Sequence, residues 1–359
     1  ATELGAWSEA IGFYEAALTG TAGAERVRIL LQLGEARWRT GRSVEASEAF
    51  REALAIARQR GDAVAADEAS LALANSLMTQ ARYAEAIALA RQVLEAGRPT
   101  TVRQAEFQLG AALSVEGADL AAATSHLEAA EALRARSSPA DPLGLAEVKF
   151  ELGSVAAQEG DLDRAIALYQ ESLEMARRYP DEDAAAPRIV LALNNLGYHL
   201  LLKGDPSAET HALAGLDLAR EKGLLGLMPY LLSTLGEIAL ARGDLDQAEA
   251  RFSEGLELAE QVGVPERVAG LTANLGLVAQ RRGETALAVH QLSTALARAD
   301  SLGTRHLAAQ IRIWLAPLLP PAQARTNLLE ARAIAEVGNR RRLLAEVAEL
   351  EQAADRGRG

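Results

Sequence analysis

A chain of 359 residues with 37 Lys and Arg against 49 Asp and Glu carries a net charge of -12. That field repels the phosphate backbone and argues against nucleic acid as a partner. No cysteine is present, which excludes disulfides, thiolate metal sites and cysteine nucleophiles.

The predicted elements are helical throughout. Hydrophobic residues make up 49% of the chain but aromatics only 4%, and alanine dominates, so the core is one of small side chains that let helices approach closely. Residues 6–18 match the second helix of a hairpin, with Gly5, Ala10, Tyr14 and Ala17 in register, and residues 1–24 are read as half a repeat. From there a Leu-Gly or Leu-Ala pair recurs at Leu33, Leu73, Leu109, Leu152, Leu196, Leu235, Leu275 and Leu315, a period near 40 residues. Such a period belongs to stacked helical hairpins and not to a coiled coil, whose repeat is about seven.

Each second helix carries a small residue, at Ala46, Ala86, Ala122, Ala165, Ala248 and Ala288, with Phe50, Ala90, His126, Tyr169, Phe252 or Leu292 one turn later. Small against large is what lets two helices interlock, and the Leu-Gly glycine admits the partner helix. Gly41, Gly117, Gly160, Gly204, Gly243 and Gly283 are placed in the turns inside hairpins. Gly61, Gly97, Gly223, Gly263, Gly303 and Gly338 are placed at the C-termini of second helices. Two units depart from the pattern: Ala208 arrives one residue early, which predicts a tighter or skewed hairpin, and Leu318-Leu319-Pro320-Pro321 replaces the last glycine turn. The expected organisation is a single α-solenoid over residues 1–355, with repeats over 25–338, a capping helix over 339–355 and a disordered tail over 356–359.

These landmarks resemble the tetratricopeptide repeat. In residues 152–173, LGSVAAQEGDLDRAIALYQESL, the leucine, both glycines, Ala165 and Tyr169 fall where that family has its leucine, glycines, alanine and aromatic. The units are longer than the family's usual 34 or so residues, and its early tryptophan and late proline are mostly absent. The texture is similar to the long-repeat sensor arrays of bacterial signal-transduction ATPases and of large transcription activators of the maltose-activator type. The resemblance implies an all-α, right-handed superhelical solenoid of about eight hairpins plus a C-terminal capping helix. First helices would line a concave groove, where peptides, protein segments or a small effector are held.

Little chemistry competes with that reading. The histidines, His126, His199, His211, His290 and His306, never fall at the i, i+3 or i, i+4 spacing of two metal ligands on one helical face. The lysines Lys149, Lys203 and Lys222 follow no phosphate-binding glycine loop, and the paired carboxylates Glu182 and Asp183 sit in a connection. Neither an enzyme nor a cofactor or metal is expected. No apolar run reaches the roughly 20 residues needed to cross a bilayer, and no N-terminal leader pattern is visible, so the expected location is the cytoplasm. The first residue is Ala1, which suits a segment of a longer polypeptide with an ATPase or regulatory module upstream. A free-standing assembly scaffold is the alternative.

The candidate groove residues are polar side chains of first helices. Asn194, Asn195 and Asn274 lie just before landmark leucines, Asn75 and Tyr198 just after, and Tyr230 about a turn ahead. An asparagine amide donates and accepts at once, which suits an extended peptide backbone; bridging to a neighbouring helix is the competing role and the one the repeat pattern favours. Arg39, Arg281 and Arg282 end first helices, where they would meet an acidic ligand or complement the helix dipole. The run Arg340-Arg341-Arg342 opens the capping helix amid acidic neighbours and is too short to suggest DNA contact.

Overall fold

The computed structural model describes residues 2–136, 141–179, 184–337 and 340–356. Gly338, Glu182, Asp183 and residues 357–359 of the expected tail lie outside the described residues. Contacts divide the chain into two compact units, residues 1–116 with 121–140, and residues 117–120 with 141–359.

The first unit contains α1 (Thr2–Leu18), then the hairpins α2 (Gly23–Arg39) with α3 (Ser43–Gln59), α4 (Ala63–Thr79) with α5 (Tyr83–Ala96), and α6 (Val102–Glu116) with α7 (Leu120–Ala135). The second contains α8 (Pro142–Glu159) with α9 (Leu162–Arg177), α10 (Ala185–Leu202) with α11 (Ala208–Glu221), and α12 (Met228–Arg242) with α13 (Leu245–Val262). It continues with α14 (Pro265–Arg281) paired to α15 (Thr285–Leu302), and α16 (Arg305–Leu315) joined by a short 3-10 turn (Ala316–Leu318) to α17 (Pro321–Val337). The last helix is α18 (Arg341–Arg356). One half repeat, eight hairpins and a final helix account for the all-α expectation.

Local chemistry ends and starts these helices where the sequence places glycine and aspartate. Gly160 and Gly243 take left-handed φ of 86° and 79° at the ends of α8 and α12. The next residue caps the following helix: Asp161 accepts from the Arg164 amide, and Asp244 from the Gln247 amide, each at 3.1 Å. Each hairpin then locks through the landmark glycine. A β-carbon on Gly236 would lie 2.4 Å from the Phe252 ring, one on Gly34 2.4 Å from Phe50, and one on Gly153 2.8 Å from Tyr169. The rings are almost wholly buried, Phe252 at 0% and Tyr169 at 1% exposure. The glycine therefore yields helix propensity of about 1 kcal/mol in exchange for a seated ring.

Three departures are informative. In α7 the interlocking pair is Ala123 and Leu127, not Ala122 and His126: Leu127 meets the landmark Gly110, at 2.7 Å from a β-carbon there. One more residue separates Gly117 from Ala123 than separates Gly160 from Ala165, which rotates the register by one position. His126 instead faces Glu106, with Nδ1 2.6 Å from its carboxylate. In α11 the expected tight hairpin is observed: Gly197 faces Ala212, with no bulky residue between the helices. At the end of the array, the proline pair closes the 3-10 turn and Pro321 opens α17, so a rigid turn replaces the glycine.

In the second unit successive first helices touch, α8 to α10, α10 to α12, α12 to α14 and α14 to α16. Among the described residues no two successive second helices pack to the same extent. Shorter spacing along one layer than along the other curves the unit, with first helices on the inside.

Candidate functional site

The inner layer of the second unit is held together by buried polar bridges. Asn194 in α10 is 8% exposed; its amide oxygen accepts from Thr234 of α12 at 3.0 Å, and its amide nitrogen donates to Asn195 at 3.1 Å. Asn274 in α14, 5% exposed, donates to Ser233 of α12 at 3.1 Å and to Glu237 at 3.3 Å. Both asparagines thus tie one first helix to the next. A buried amide stripped of these partners would carry a penalty of about 1–3 kcal/mol.

The remaining candidate residues are dispersed. Asn195 is half-buried and its side chain also reaches the Tyr169 hydroxyl. Asn75 is half-buried on α4 in the first unit. The Arg267 guanidinium lies over the Tyr230 ring, 4.7 Å from its centroid, so the cation stacking on this tyrosine comes from α14. Arg39 is exposed, pairs with Glu35 at 2.6 Å and lies over Trp7. Arg281 is exposed at the end of α14, while Arg282 pairs with Asp246 and Glu249 of α13 at 2.6 and 2.7 Å.

Tyr198 has the richest surroundings. Its ring meets the edge of His199 at 5.1 Å, His199 meets Tyr169 at 5.2 Å, and Tyr169 meets Phe150 of α8 at 5.4 Å, an aromatic chain across three helices. The Tyr198 hydroxyl is pushed up to about 12, by burial first and then by Glu237; Arg342 of α18 pulls the other way through charge and a hydrogen bond. His199 is pushed down to about 4 by burial, although its Nδ1 lies 2.7 Å from the Asn195 carbonyl oxygen, and is a neutral ring at neutral pH.

α18 caps the array as the sequence suggests, but its polar contacts with the inner layer are ones the sequence did not reveal. One stripe, Leu343 and Val347, is buried at 1% and 0% against Ala309, Ile313, Leu328, Ala331 and Ala335 of α16 and α17, as a cap requires. A second stripe faces the inner layer. Arg342 donates to the Gln310 side-chain oxygen at 2.9 Å, and Gln310 donates to Glu346 at 2.8 Å. At its start α18 also touches α8: a β-carbon on Gly160 would lie 3.5 Å from that of Arg341. Gln310, Glu237, Arg342 and Glu346 were absent from the sequence candidates. An Arg and a Glu one turn apart are visible in the sequence, but nothing local tells which distant helix they meet.

Glu151 on α8 is a further inner-layer carboxyl, raised to about 8 by burial and then by the charge of Glu147. A folded pKa above the ordinary 4.5 means that its contribution is present below pH 4.5 and is lost as pH rises through 8. Glu151→Gln, which stays neutral, is therefore expected to melt above the parent at pH 8.5 and to lose that advantage at pH 4. A constant difference across that range in thermal melts would show that the Glu151 carboxyl titrates alike in the folded and unfolded chain.

Family models described as tetratricopeptide repeat match residues 29–64, 150–214 and 227–301. These stretches are tetratricopeptide repeats. Solved structures agree on the fold. A Rap protein complexed with competence and sporulation factor is 15% identical with a TM-score of 0.60, covering 92% of this chain and 97% of that one. The Rap conjugation gene regulator of plasmid pLS20, in complex with the Phr* peptide, is 17% identical with a TM-score of 0.62, covering 79% and 77%. A signal transduction ATPase with numerous domains and a tetratricopeptide repeat sensor, from Pyrococcus horikoshii, is 14% identical with a TM-score of 0.55, covering 92% of this chain and 50% of that one. A sequence search of curated proteins gives no match. The described residues contain no group of three or more His, Asp or Glu side chains that could hold a metal. No helix among them is long and apolar enough to cross a membrane.

Proposed function

We propose that this repeat array is a non-catalytic binding and sensing region of a bacterial regulatory protein, which takes a peptide or protein segment on its first-helix face. The observation that carries the reading is the chemistry of that face. In the second unit it carries Asn195, Tyr198, Tyr230 and Glu237, half-buried side chains able to donate, accept and stack, whereas the interlocking positions between helices are apolar. Such a mixture suits a polypeptide ligand, whose backbone needs both donors and acceptors. Structures of the same fold solved with a factor or a peptide bound, and one that carries a repeat sensor, support the same reading.

Photo-crosslinking amino acids placed at Asn75 and Tyr230, on first helices, and at the exposed second-helix positions Arg91 and Glu257 provide the test. Partner adducts from native lysate are expected at the first-helix positions. Equal labelling at Arg91 and Glu257, or labelling there alone, would refute the assignment of the face.

A further inference from the structure

α18 does more than close the last hairpin. Its apolar stripe, Leu343 and Val347, suffices to cover α16 and α17. A cap needs nothing beyond that, since the outer face of a terminal helix ordinarily meets water. Here the adjacent stripe is also engaged. Arg342 reaches Tyr198 on α10 and Gln310 on α16, and its charge acts on Glu237 of α12. Glu346 is held by Gln310 and acts on Tyr198. The first turn of α18 rests against Gly160 at the end of α8. Helix α18 touches both α8 and α16, the first helices of the opening and closing hairpins of the unit, so the inner layer curls around it. Its contacts are those that a bound helix would make: an arginine held by a tyrosine and an amide, and a glutamate one turn on held by the same amide.

We propose that α18 is a tethered ligand, occupying the inner face that an exogenous amphipathic helix binds, one that carries an arginine one turn ahead of a glutamate as Arg342 stands ahead of Glu346. The inference rests on reading the first-helix face as the binding surface, and it names both the partner chemistry and the element the partner must displace. The effective concentration of a tethered helix exceeds that of a free one, so the resting chain is closed to weak partners. Only a helix that matches the polar stripe and is abundant or tight-binding opens it.

The test uses the full chain and a labelled synthetic peptide of residues 340–356, with fluorescence anisotropy as the readout. Val347→Asp detaches the tethered α18; Leu343→Ala loosens it more gently and serves if the first variant does not fold. The peptide is expected to bind the loosened chain at least tenfold more tightly than the parent chain. A second peptide with Arg342→Ala and Glu346→Ala, its apolar stripe intact, is expected to lose most of that binding. Equal binding of the two peptides would reduce α18 to a cap, and equal binding to parent and loosened chains, or to neither, would show that it does not occlude the face. Any of these results, with crosslinks at Tyr230 of the loosened chain retained, would remove α18 as occupant and leave the binding face; absence of those crosslinks from the loosened chain removes the face itself.

Discussion

Gly236→Leu is expected to destabilise the second unit by about 1–3 kcal/mol, the usual cost of forcing extra methylenes into a packed core. The first added carbon would stand 2.4 Å from the Phe252 ring. That ring is fully buried at 0% exposure and packs with Ala239, Leu240 and Ala248, so it has nowhere to retreat. Phe252→Ala alone is expected to lose about 3–5 kcal/mol through the cavity it leaves. Together the two changes should cost at least about 1 kcal/mol less than their sum, because the leucine enters the space the ring vacates. Since repeat arrays melt in parts, the cycle is best read from hydrogen exchange in α12 and α13 under mild denaturant. Additive costs would mean that the glycine is not there to admit the ring.

A larger effect is expected at Val347→Asp. The side chain is 0% exposed and sits among Ala309, Ile313, Leu328, Ala331 and Ala335. Burying an unpaired carboxylate costs several kcal/mol. Helix α18 escapes that cost by undocking, since among the described residues it packs against α17, α16 and α8. The expected outcome is loss of exchange protection throughout α18, faster tryptic cleavage after Arg341 and Arg342, and little change in α10 to α13. Protection that stays at the parent's level in α18 would show that the aspartate is accommodated in place and that the apolar stripe contributes little.

The fold was legible because its signals are local. Glycine and aspartate set the turns, and the small-large pairs set the interlocking faces, so hairpin number and order followed from the sequence. The register of α7 was misread because one extra residue in a turn is invisible to a spacing rule until the buried side, Ala123 and Leu127, is known. The site was less legible for a physical reason. Asn194 and Asn274 are donors and acceptors on first helices, as a peptide groove needs. Asn194 points toward the following first helix and Asn274 toward the preceding one, and there Thr234 and Ser233 wait. Tyr198 stood out as a single residue, whereas its partners Arg342 and Glu346 come from the far end of the unit, and no periodicity connects residues that distant.

The reach of α18 back to α8 also bears on how the chain folds. Almost all of the helix contacts join neighbours in sequence, which favours rapid, local assembly with little loop entropy to overcome. The meeting of Gly160 with the start of α18 spans half the chain and pays only once the hairpins between them have stacked. Docking of α18 is then a late step, and the inner face stays open until residues 341–356 have been made and the hairpins before them have stacked.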